Sequence, residues 1–192
     1  MLTDGFAILN DYARRSRMFA QGLPQREGAI HYWTGIGFSL GNHAFVVPRG
    51  EVAEILGLPR LTQVPGVKPW VRGIANVRGR LLPVVDLLGF FGEISTRVER
   101  RRRLLVVDRP HLYSGIIVDD VLGMQHFPAN NFKDQVDTTL VNKFDTNLVG
   151  MYWRMQVPDA HESSVAPEQI EEWPIFSFHK LTDNPAFLEF AG

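Results

Sequence analysis

The stretch Val71-Arg72-Gly73-Ile74-Ala75-Asn76-Val77-Arg78-Gly79-Arg80-Leu81-Leu82-Pro83-Val84-Val85-Asp86-Leu87 decides the fold. Residues 73–77 and 80–85 read as two short strands around a tight turn at Arg78-Gly79. Gly79 suits that turn because it takes positive φ without a Cβ clash. Pro83 offers no backbone N–H, so its strand is expected at an edge or a bulge. Asp86 is placed to cap a short helix through Leu87-Leu88 that ends near Gly89 or Gly92.

Working outward, the texture stays β. Downstream strands are expected at 103–107, 112–118 and 121–127. Upstream, 32–40 and 43–47 form a hairpin pattern around Gly41-Asn42. Val52 and Ile55 fit either a third strand or a short helical turn. Pro59, Pro65 and Pro69 mark a loop-rich crossing. A fainter copy of the opening pattern returns at 148–154 and 173–177, with Gly150 for Gly73, Pro174 for Pro83 and Ser177 in the capping place of Asp86. About 14 extra residues separate its halves, near 157–172, and this insert is acidic and Ser/Pro-rich. Only 1–30 differ: Phe6, Leu9, Tyr12 and Ala13 fall at helical spacing and three arginines follow, so a helix is expected over 5–18. The domain reading is a helical extension over 1–30 and one β-rich domain over 31–190. About ten short strands with few helices suggest two small antiparallel barrels.

Composition narrows the function. The 192 residues contain no cysteine, which excludes disulfides, thiolate metal sites and thiol catalysis. A net charge of −1 gives no overall drive toward nucleic acid. No apolar run is long enough to span a membrane, and the first residues lack the order of a secretory signal, so a cytoplasmic protein is expected. The near-zero charge hides an asymmetry. Residues 97–103 hold five arginines, while 159–192 hold seven acids and one lysine.

Candidate chemistry is sparse. The six histidines form no metal-ligand spacing, and no nucleophile elbow, phosphate loop or dinucleotide motif is present. Asp119-Asp120 point to opposite faces of a strand end, which favours a turn role. Arg100–Arg103 reads as a solvated loop entering a strand, with contact to a phosphate or acidic partner as the alternative. Arg72, Arg78 and Arg80 flank the 73–85 hairpin. Arg78 is equally an ordinary hairpin-tip charge or a forked donor to a partner's carboxylates and carbonyls. A binding module is therefore favoured over an enzyme, since sheet edges and grooves suit partner segments.

The 71–87 stretch resembles the signature of CheW-like domains, roughly "hxGhhNhRGxhhPVhDL" with h apolar. Phe38-Ser39-Leu40-Gly41, Val52-Ala53-Glu54-Ile55 and Gly115-Ile116-Ile117-Val118-Asp119 are similar to further family segments, and the likeness covers about 32–181. It implies a mainly β fold of two SH3-like five-stranded β-barrels with short helices around a shared hydrophobic seam. It further implies a non-catalytic adaptor or scaffold of chemotaxis signal transduction, without cofactor or metal. Its partners would be the cytoplasmic tip of a methyl-accepting chemoreceptor and a CheA-type histidine kinase of a two-component system. Such an adaptor is recruited to membrane receptor arrays without inserting in the bilayer. By the same resemblance Val52, Glu54, Gly73 and Arg78 match receptor-contact positions, and Val77, Gly79 and Leu81 the hairpin end that meets the kinase. Residues 8–16 resemble PilI-type members, which serve type IV pili and twitching motility. Ser177 departs from the family's usual Asp. The alternative is a regulatory binding module of another two-component or cyclic-dinucleotide pathway.

Overall fold

The computed structural model describes residues 31–109, 112–136, 142–155 and 170–190. The helix expected over 5–18 and most of the acidic insert lie outside them. The chain divides into two units, 1–31 and 32–192, and every element below belongs to the second.

Among the described residues, eleven strands form two sheets. In chain order they are β1 (Tyr32–Leu40), β2 (His43–Pro48), β3 (Glu54–Gly57), β4 (Val71–Val77), β5 (Arg80–Asp86), β6 (Arg103–Arg109), β7 (Leu112–Val118), β8 (Asp120–Pro128), β9 (Phe132–Lys133), β10 (Leu148–Met155) and β11 (Ile170–Phe176). The described residues also form three short α-helices, α1 (Leu87–Phe90), α2 (Phe178–Thr182) and α3 (Pro185–Leu188), besides 3-10 turns. One sheet runs β8-β1-β2-β11-β10-β9, the other β3-β6-β7-β5-β4. Pairing is antiparallel except between β5 and β7 and between β11 and β2.

The expected pair of SH3-like five-stranded barrels is corrected by this topology. The sheets are open and mixed, with six and five strands. In the smaller sheet, closure would require β3 to meet β4. That edge of β4 is instead taken by Thr62, whose N–H donates to the Ile74 carbonyl and whose carbonyl accepts from the Ile74 N–H, both at 2.8 Å. The flanking prolines, Pro59, Pro65 and Pro69, lack the N–H that would extend this bridge into a ladder strand. The sixth strand of the larger sheet is β9, two residues long. No sequence periodicity resolves an element of that length.

Two smaller corrections follow from register. Pro83 sits in β5, which is internal, between β4 and β7. It is tolerated because the parallel ladder to β7 starts one residue later, at Val84–Gly115, and Ser114 Oγ donates to the Pro83 carbonyl at 3.1 Å. The irregularity lies on the neighbouring strand, between Val71 and Gly73. The expected insert is also shorter at its end, since Ile170, Glu171 and Glu172 open β11.

The runs Leu104–Val107, Ile116–Val118 and Phe45–Val47 are apolar at every position because both faces of each sheet are covered. Alternate residues go to different clusters. Leu105, Val107, Ile116, Val118, Phe45 and Val47 enter the central seam between the sheets, with Phe38, Phe176 and Phe178. Leu104, Val106 and Ile117 face a second cluster with Val77, Leu82 and Val84. Val46 faces a third, with Phe127, Tyr152 and Trp173. Each fully buried Phe contributes roughly 1.5–3 kcal/mol, so the seam holds the two sheets as one body. Among the described residues, no helix is long and apolar enough to cross a membrane.

Candidate functional site

The β4–β5 hairpin positions the candidate residues. Arg78 and Gly79 both carry positive φ, 53° and 81°. That double left-handed geometry matches the twist of a two-residue hairpin. Asn76 Oδ1 accepts the Gly79 N–H at 2.9 Å and closes the turn. Arg78 projects from the tip with its side chain 78% exposed, and its Nη2 lies 2.6 Å from Glu54 Oε1 on β3. The other Glu54 oxygen is buried, with no hydrogen-bond partner among the described residues. The open edge of β3 and the hairpin tip are thus linked by a charge pair rather than by a ladder.

The remaining candidates divide by depth. Leu81 is 69% exposed and Gly79 is exposed, so both lie on the surface beside Arg78. Val77 turns into the second cluster. Val52 is half-buried and packs against the seam. Gly73 is buried with φ 129°, and a Cβ there would meet the Thr62 carbonyl oxygen at 2.2 Å. Arg80 is committed locally. It reaches Asp108 at 2.8 Å and lies 3.7 Å above the Tyr113 ring, and the Asp108 hydrogen bond holds its pKa above the ordinary value.

Sequence reasoning missed a second constellation. Arg102, expected in a solvated loop, is buried and donates from Nη1 and Nη2 to the two Asp86 oxygens at 2.8 and 2.7 Å. Its Nε lies 3.5 Å from Asp119 Oδ1. Asp119 also accepts from the Gly41 N–H at 2.7 Å and from Ser95 Oγ. Burial alone would favour a neutral Arg102. The hydrogen bonds to Asp86 and the fields of Asp86, Asp119 and Glu99 outweigh it and raise its pKa. A signal was available: Asp86 and Asp119 each end an apolar strand, and two such acids demand a cation. Asp119, expected in a turn or strand-end role, follows the last residue of β7 but is buried, and its carboxylate accepts from the Gly41 N–H of the β1–β2 turn.

The model of the CheW-like domain matches residues 34–147, which include much of the seam, the hairpin and the Arg102 cluster. The chain belongs to the CheW-like domain family. As a CheW-like protein it is a chemosensory adaptor, not an enzyme. It is similar along almost its whole length to Protein PilI of Pseudomonas aeruginosa, 42% identical over 186 residues, covering 97% of this chain and 96% of that one. Protein FrzA of Myxococcus xanthus is 34% identical over 92 residues, 48% of this chain and 58% of its own. The crystal structure of the scaffolding protein TtCheW from Thermoanaerobacter tengcongensis shares the fold. It has a TM-score of 0.62 at 20% identity, covering 81% of this chain and 96% of the other. The CheW-like match stops before β10, β11, α2 and α3, yet Leu148, Phe176, Phe178, Leu181 and Phe187 fill the same seam.

Proposed function

We propose that the protein couples methyl-accepting chemoreceptors to a CheA-type histidine kinase within a system that controls type IV pili and twitching motility. The observation that carries this reading is the end-to-end likeness to PilI, which includes the segment before β1 as well as the CheW-like core. Arg78, Glu54, Val52 and Gly73 form the receptor side. Arg78 supplies forked donors at an exposed tip, and Glu54 holds it in place. Gly73 acts through backbone shape, and Val52, two residues before β3, anchors the start of that strand on the seam. Val77, Gly79 and Leu81 form the kinase side, with Leu81 as the exposed apolar contact and Val77 fixing the strand that presents it. Each interface is small, and simultaneous engagement in an array multiplies the two. Recruitment to the membrane then comes from the receptor.

Arg78→Glu tests this. It should keep the β-rich circular dichroism spectrum, since the residue is exposed, and lose co-sedimentation with receptor tips. The charge swap Arg78→Glu with Glu54→Arg restores the pair but reverses the tip. If the swap regains receptor binding, the pair acts only by holding the hairpin. Unchanged co-sedimentation of the single variant removes Arg78 from the receptor side.

A further inference from the structure

A cleft of about 630 Å³ opens between the segment after β3 and the turn entering β6, lined among others by Leu58, Arg60, Leu61, Arg72, Glu99 and Arg100. Arg78 and Leu81 are not part of it. The arginine run at its rim is divided by use. Arg102 is spent inside the fold. Arg103 Nη1 donates to the carbonyls of Arg100, Arg101 and Arg102 at 2.9, 3.0 and 3.1 Å, which ties the short 3-10 turn Glu99–Arg101 together. Arg97, Arg100 and Arg101 are left exposed. Among the described residues, neither Arg60 nor Arg100 forms an ion pair.

We propose that this cleft is a further docking site, taking an acidic peptide segment of a partner protein. Three arginines line it against Glu99; Arg72 also lies 3.4 Å from Asp86, so Arg60 and Arg100 are the charges that make its walls basic on a chain whose net charge is −1. The one carboxylate, Glu99, is 72% exposed and lies 3.6 Å from Arg72. So long and exposed a pair binds weakly, and an incoming carboxylate replaces Glu99 at Arg72 with little loss. Leu58 and Leu61 are half-buried on the second cluster and offer aliphatic surface beside the charges. Carboxylates interleaved with aliphatic side chains match that lining. A bare phosphate-type anion would leave the leucines unused. The site does not depend on the receptor reading, because no receptor-side residue lines it.

The experiment is fluorescence anisotropy on the full chain. The probe is a fluorescein-labelled peptide of glutamates with interspersed leucines, and the control is its glutamine counterpart. Saturable binding of the acidic peptide, weakened by added salt and absent for the control, is expected. Arg60→Glu with Arg100→Glu should weaken it at least about tenfold, with the circular dichroism spectrum retained. Glu99→Gln should tighten it by removing the competing carboxylate. Pyrophosphate serves as competitor. Binding that survives the double charge reversal, or pyrophosphate that binds the cleft as tightly as the peptide, overturns the proposal. So does the lack of saturable peptide binding. Receptor co-sedimentation of the double variant should stay unchanged, so failure here leaves the receptor reading standing.

Discussion

At Gly73 the backbone of β4 presses against the segment before it, with φ at 129° and the Thr62 carbonyl where a Cβ would stand. Any side chain here must both adopt a rare conformation and push aside a carbonyl held by the Ile74 hydrogen bond. Gly73→Ala is therefore expected to lower stability by about 3 kcal/mol or more. A urea titration followed by circular dichroism measures it without any partner present. A wild-type midpoint would show that β4 can move off Thr62 at no cost. Arg78 is the opposite kind of residue. It also has positive φ, but its side chain is solvated and leans only on Glu54. The sequence marks both positions by the same motif and cannot say which one serves the interior. That distinction depends on where residues 58–70 run, and only the folded chain supplies it.

Elements repeat in a way the sequence makes visible. The hairpin β4–β5 followed by α1 has a counterpart in β10–β11 followed by α2. Each first strand carries a glycine at high positive φ, Gly73 at 129° and Gly150 at 141°. Each pair has a register shift at that glycine, and each second strand joins its sheet through a parallel neighbour. The glycine and proline spacing was legible from sequence because backbone constraint is local. What the spacing could not show is how the second copy manages without the Asp. In the first copy Asp86 both caps α1 and meets Arg102. In the second, Ser177 caps α2 and the carboxylate comes from Glu51, 126 residues earlier. Glu51 accepts from the Phe178 N–H at 2.6 Å, the His179 N–H at 3.3 Å and Ser177 Oγ at 3.3 Å. Glu51→Ala strands these donors and should cost about 2–3 kcal/mol, with hydrogen exchange accelerated at Phe178 and His179. Adding Ser177→Asp to that variant supplies a local carboxylate and should recover part of the loss. Ser177→Asp alone brings a second carboxylate against Glu51 and should destabilise.

Across the whole molecule, the two sheets share the seam and also a buried charge cluster. Asp86 ends β5, Arg102 precedes β6, and Asp119 follows β7. All three belong to the smaller sheet and the segments that flank its strands. Asp119 then reaches the larger sheet twice, through the Gly41 N–H at 2.7 Å and through its own N–H to the Ser39 carbonyl at 3.0 Å. Arg72, 3.4 Å from Asp86, brings the cluster to two arginines against two aspartates. Removing one member of a buried pair typically costs about 3–5 kcal/mol, because the partner stays buried and uncompensated. Arg102→Ala strands two carboxylates at once, so the upper part of that range is expected. Its raised pKa keeps Arg102 charged far above neutrality. The wild-type contribution of this cation is thus full below the ordinary arginine pKa, and it is lost only as pH climbs through the still higher folded value. Trp33, Trp153 and Trp173 lie in the larger sheet, whereas Arg102 and the fourth tryptophan, Trp70, adjoin the smaller, so in a Trp70→Phe background the fluorescence reports the larger sheet alone. If the seam and the Asp119 contacts make one cooperative unit, tryptophan fluorescence and circular dichroism must shift to a lower urea midpoint together. A fluorescence midpoint that stays at the wild-type value while circular dichroism falls would mean that the sheets unfold separately. An adaptor built from two such sheets would then transmit little strain from one partner surface to the other.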